Sequence, residues 1–167
     1  MKKLAYILFI LCMAVTGGLS AQNITAVNID AYDGDTVDLA TNNIALYDDG
    51  GPQGSYSFGH DYIVTLITPC SISDDTSLHF TIGLQGETDI GCLDTLYFYD
   101  GGSISSPLMF KYNNCFETSP NRTFTVSPRN VEKMITVRMR TAPRADTSER
   151  FRGFQIEFDC KKACENI

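Results

Sequence analysis

Tryptophan is absent from the 167-residue chain, and histidine occurs only twice, as His60 and His79. Without Trp the chain lacks the widest flat side chain for stacking a sugar ring. With two histidines there is little from which to build a general base or a zinc site, and the cysteines lack Cys-x2-Cys spacing. His79 lies between Leu78 and Phe80 in an apolar strand pattern, and His60 follows Gly59 in a loop. No Gly-x-Ser-x-Gly elbow, His-Glu-x-x-His pair or phosphate-cradling glycine loop occurs. Close carboxylate pairs sit in turns. The expectation is that the protein is not an enzyme.

Positive charge is missing from more than half of the chain. From Gln22 to Phe110 there are 13 Asp/Glu and no Lys or Arg; from Lys111 to Ile167 there are 11 Lys/Arg and 7 Asp/Glu. The formal net charge of −7 excludes a nucleic-acid face, which needs a basic surface for phosphates. The reading of this asymmetry is internal: late strands carrying arginine pack beside early acidic segments.

Long apolar runs are also missing, with one exception. "MKKLAYILFILCMAVTGGLSAQ" has Lys2 and Lys3, then apolar residues from Leu4 to Val15, then small residues. This is the pattern of a secretory signal peptide over residues 1–21, too short for a spanning helix. Bulky Leu11 before Cys12 argues against lipidation. The mature chain is expected to be secreted or at the cell surface, with no membrane insertion after cleavage. Its five remaining cysteines (Cys70, Cys92, Cys115, Cys160 and Cys164) are an odd number for an oxidising compartment. Either one thiol is free or the chain is a piece of a larger protein; the second reading is preferred, with 161–167 opening a linker or a next module.

What is present is a succession of short strands. "YIVTLIT" (62–68), "SLHFTIGL" (77–84), "DTLYFYD" (94–100), "RTFTVS" (122–127), "KMITVRMR" (133–140) and "FRGFQIEFD" (151–159) alternate or run apolar. They are rich in Val, Ile, Thr, Tyr and Phe, and bounded by Gly, Pro, Asn and Asp. Val137 and Met139 oppose Arg138 and Arg140; Phe154, Ile156 and Phe158 oppose Gln155, Glu157 and Asp159. "NITAVNI" and "TVDLA" add strands near the start, separated by the turn Asp33-Gly34. Tyr32-Asp33-Gly34, Tyr47-Asp48-Asp49-Gly50 and Tyr99-Asp100-Gly101 share a turn chemistry, Asp supplying an Asx-type bond and Gly a positive φ. The pattern predicts an all-β antiparallel sandwich of 8–10 strands without substantial helix. Residues 22–42 form an N-terminal strap or edge, and 43–160 the sandwich.

From Leu46 to Asp159, "LYDDGGPQGSYSFG…SLHFTIGLQGE…CLDTLYFYDGG…SPLMFKYNNC…ITVRMRTA…FRGFQIEF" resembles a CUB domain, and most of all the variety found in large secreted bacterial surface proteins. The resemblance implies a jelly-roll sandwich used outside the cell to bind proteins and sometimes glycans. It implies a disulfide between Cys92 and Cys115. The family's first disulfide has no counterpart, and the sequence does not choose among Cys70 with Cys160, Cys70 with Cys164, and Cys160 with Cys164. The resemblance further implies a Ca²⁺ site built from Tyr56, Glu87 and Asp94. Where the family has its second Asp, after a Ser or Thr, this chain reads Thr141-Ala142, and Asp146 on the same loop is the replacement. Ca²⁺ takes six to eight oxygens, so the alternative is a metal-free acidic loop. Tyr56, Glu87, Asp94 and loop 141–146 are expected at one end of the sandwich.

Two functions from different classes follow. One is a binding or adhesion module whose acidic loops (48–60, 85–94 and 141–150) grip a basic group on an extracellular protein or glycan. The other is a structural spacer. A carbohydrate-binding sandwich, with Tyr32, Tyr47, Tyr56 and Tyr62 in place of Trp, is a third.

Overall fold

The computed structural model describes residues 25–38, 44–67, 79–84, 88–116, 121–125, 133–145 and 148–161. Among these the chain is all-β, with ten strands, two short 3-10 turns and no α-helix. Two five-stranded sheets face each other across one core. The first has the order β1 (Thr25–Asn28), β3 (Ile44–Tyr47), β10 (Gln155–Lys161), β5 (His79–Leu84), β8 (Asn121–Thr125). The second has the order β2 (Thr36–Asp38), β4 (Asp61–Ile67), β9 (Met134–Arg140), β6 (Thr95–Asp100), β7 (Leu108–Tyr112).

The period-2 pattern explains the layering. In β9, Ile135, Val137 and Met139 are fully buried, while Arg138 and Arg140 face outward. Their neighbours Val64 and Leu66 on β4, and Leu96 and Phe98 on β6, complete one wall. Val27, Leu46, Phe154 and Ile156 supply the other. At roughly 1.5–3 kcal/mol per buried side chain, this interface is the main favourable term in folding.

The antiparallel expectation needs amending at two edges. β1 pairs with β3 in parallel, and β2 with β4 in parallel. Hairpins are excluded there because a strand of the opposite sheet lies between the members of each pair, and such a crossover yields parallel neighbours. The remaining pairs are antiparallel. The Asp33–Gly34 turn that carries the chain from β1 to β2 is pinned to β4. Ile63 N–H donates to Asp33 Oδ1 (2.8 Å), Gly34 N–H donates to Ile63 O (2.7 Å), and Gly34 has φ +81°.

A second amendment concerns "FRGFQIEFD". The strand begins at Gln155. Gly153 turns left-handed at φ +83°, so Phe151–Phe154 form a loop at the sandwich end. That loop reaches the site described next.

Candidate functional site

The β3–β4 loop, the segment before β6, the residues after β7 and the β9–β10 loop all meet at one end of the sandwich. Their common point is Asp94, whose side chain is fully buried. Asp94 Oδ1 accepts the Ala142 N–H at 2.8 Å. Oδ2 accepts the Tyr56 hydroxyl at 2.5 Å and Arg144 Nη2 at 2.7 Å. Tyr56 oxygen in turn accepts the Gly91 N–H at 2.9 Å. One carboxylate thus ties three loops by charge-assisted bonds, which are about twice as strong as neutral ones. Burial, and then the bond to Asp94, hold the Tyr56 phenol well above its ordinary range, so it is the donor in that pair.

Arg144 is nearly as buried as its partner, at 8% side-chain exposure. Its guanidinium carbon lies 4.4 Å from the Phe58 ring centre and 4.7 Å from that of Phe151. Nη1 bonds Glu149. Attraction to these two aromatic rings, which stand 74° to each other, adds to the ion pair. Gly91 makes room: a Cβ there would stand 2.7 Å from Nη2 and 2.9 Å from the Phe151 ring.

A second buried acid sits under the neighbouring turn. Asp48 is fully buried, its Oδ1 accepting Gly50 N–H and its Oδ2 accepting Phe154 N–H, each at 2.8 Å. The first bond is the Asx turn expected of Tyr47-Asp48-Asp49-Gly50, but the positive φ falls on Gly51 (+67°) and not on Gly50 (−80°); the second bond crosses 106 residues to the β9–β10 loop. Burial raises the Asp48 carboxyl from 3.8 to about 6 against the lowering effect of those N–H donors.

Cys92 and Cys115 form a disulfide with Cα atoms 5.2 Å apart, the pairing the CUB resemblance implies. Asn113 splints it, donating to Asp94 O (3.0 Å) and Cys92 O (3.3 Å) while accepting the Cys115 and Phe116 N–H groups. Cys160 stands in β10 opposite Phe80. Cys70 and Cys164 lie outside the described residues, as do Glu87 and Asp146 of the calcium set. Tyr56, Asp94 and loop 141–145 do come together, through the bonds just given.

The described residues do not fit a calcium ion. Both oxygens of Asp94 and that of Tyr56 are engaged by protein donors, and the charge facing Asp94 is Arg144. No group of three His, Cys, Asp or Glu able to hold a metal occurs among them.

Arg144 is the site residue that sequence reasoning missed, although its signal was present. It follows by two positions the Ala142 that stands where a carboxylate was sought. The charge asymmetry pointed the same way: Arg138 grips Asp61 through Nε and Nη2 (2.7 and 2.6 Å), and Arg144 grips Asp94, each pairing a late arginine with an early aspartate. Of the tyrosines considered for sugar stacking, Tyr56 is buried, Tyr62 is stacked on His60 and Tyr32 is exposed. Tyr47 lines a cavity of about 570 Å³ with the 51–55 turn and Arg152. A second cavity of about 580 Å³ opens beside Phe58, Pro143, Arg144 and Arg150.

No protein-family model and no curated protein sequence matches the chain. Among solved structures, the MASP-1 CUB2 domain bound to Ca²⁺ is similar at 13% identity, over 62% of this chain and 80% of that one, with a TM-score of 0.38. A likeness of that size carries no residue-by-residue correspondence.

Proposed function

We propose that this chain is a non-catalytic extracellular recognition module, and that its ligand is met by the loop end of the sandwich. The observation that carries the reading is the degree of order there. Asp94 joins its own loop to the β3–β4 and β9–β10 loops, and Asp48 adds a further tie across 106 residues. Loops fixed in this way lose little conformational entropy on binding, which is how a rigid scaffold turns loops into a recognition surface. The cystine is compatible with the secreted setting inferred from the leader-like N-terminus. Among the described residues no helix is long and apolar enough to cross a membrane.

The partner surface in this proposal is the rim of the two cavities: Arg150 and Arg152 line them, and the acids beside lining residues are Asp49, which accepts the Ser57 N–H, Asp89, which accepts the Arg152 N–H, and Glu149, which pairs with Arg144. Such a rim suits a protein or glycan carrying paired charges better than a purely basic group. Ca²⁺-assisted recognition would need Glu87 and Asp146 to supply what Asp94 and Tyr56 do not.

The test is an array of extracellular-matrix proteins and glycans probed with mature protein. Gln53→Arg and Arg150→Glu alter the loop end, and Ser105→Arg alters the exposed β6–β7 turn at the other end of those strands. The proposal expects a saturable ligand lost in the first two variants and kept in the third. Binding unaffected by the loop variants, or none across the array, would favour the spacer reading.

A further inference from the structure

We infer that the loop end contains a guanidinium-binding pocket, filled in cis by Arg144, which does the work of a bound cation. This stands independently of what the loop end recognises. The floor is the buried Asp94 carboxylate, at 2.7 Å from Nη2. The walls are Phe58 and Phe151, whose ring centres are 6.2 Å apart and lie 4.4 and 4.7 Å from the guanidinium carbon. Glu149 closes the outer side on Nη1. Gly91 leaves open the volume that Nη2 enters.

Two features select a guanidinium over a metal ion. The pocket is lined by aromatic faces, which attract a flat, weakly hydrated cation but supply no oxygen ligand. Ca²⁺ wants six to eight hard oxygens, whereas the Asp94 and Tyr56 oxygens already accept protein donors. The Arg144 Nε–H is buried and finds no acceptor among the described residues, so the cation is held through its two Nη groups and the two rings alone. A free guanidinium could make the same contacts. Without any cation, Asp94 would be an uncompensated buried charge, so the three loops it joins depend on Arg144.

The experiment is thermal unfolding of mature protein and its Arg144→Ala variant, each with methylguanidinium, methylammonium or CaCl₂ in the low millimolar range. Arg144→Ala is expected to lower Tm by roughly 10 °C, the scale for breaking a buried pair in a domain of this size. Methylguanidinium should restore part of that loss saturably, methylammonium should restore less, and adding Asp94→Asn should abolish the recovery. CaCl₂ should leave the wild-type Tm unchanged. An unchanged Tm in Arg144→Ala, no recovery with methylguanidinium, or saturable stabilisation of wild type by Ca²⁺ would each overturn the inference. Should Arg144→Ala fail to fold, the wild-type Arg144 Nε–Hε resonance decides. Ring-current shifting and slow exchange are expected, and a resonance like that of an exposed arginine would refute the pocket.

Discussion

Replacing Asp48 by asparagine should abolish, at one buried site, a dependence of stability on pH that runs opposite to the usual carboxylate one. The Asp48 carboxyl is fully buried, and burial raises it from 3.8 to about 6 in the folded chain. Between those values the native state holds a proton that the unfolded state has released. Stability from this group is therefore complete below the unfolded value and is lost as pH rises through the folded one. The gap between 3.8 and about 6, at about 1.36 kcal/mol per pH unit, amounts to roughly 3 kcal/mol. The amide introduced by Asp48→Asn would not titrate. Its oxygen could still accept one N–H, from Gly50 or Phe154, but its NH₂ would face the other donor, a cost of about 1–3 kcal/mol at every pH. Urea unfolding of both proteins from pH 3.5 to 7 at constant m-value isolates the effect, because every other titrating group cancels in the difference. The wild-type advantage should shrink by about 3 kcal/mol as pH rises. A difference that stays flat, or grows with pH, would refute the assignment of burial as the dominant influence on Asp48.

Gly153→Ala should be among the most damaging single substitutions, costing about 2–4 kcal/mol, because φ is +83° and the new Cβ would overlap Asp48 Oδ2. Chemical denaturation measures it, and combining it with Asp48→Ala should recover part of the loss by removing the clash. Gly91→Ala should cost about 1–3 kcal/mol by pushing on Arg144 and Phe151, with a near-normal Tm ruling out the close approach. Removing the Cys92–Cys115 bond, which spans 23 positions, should cost roughly 3 kcal/mol, read as the shift of the urea midpoint in Cys92→Ser/Cys115→Ser. Asp61 is held low by its bond to Arg138, so its contribution is present above the unfolded carboxylate value and fades as pH falls. With Asp61 44% exposed, Arg138→Gln should cost no more than about 1 kcal/mol, a limit that salt titration of stability can check.

The strands were legible because a two-residue repeat of Val, Ile and aromatic side chains has one stable use, a pleat with a wet and a dry face. Ile135, Val137 and Met139 against Arg138 and Arg140 illustrate it. Pairing direction at the edges was not legible, since β1 and β2 are four- and three-residue strands whose partners depend on which sheet each crosses to. The disulfide followed from resemblance, and the position of Asp94 at a loop junction did too. The identity of the cation beside Asp94 did not, because a side chain reaching across 50 residues leaves no local pattern. Asp48 was half legible: its Asx bond to Gly50 is sequence-local, whereas its bond to Phe154 exists only once β3 and β10 are neighbours.

The buried pair of Asp94 and Arg144 is the joint that holds the loop end together. A double-mutant cycle measures that joint directly, using Asp94→Ala, Arg144→Ala and the combined variant, with unfolding free energies from urea titration. The two side chains meet at 2.7 Å with 0% and 8% exposure, so the coupling energy should be on the order of 2–3 kcal/mol, with the double variant scarcely worse than either single one. Losses that simply add, with coupling near zero, would contradict the account.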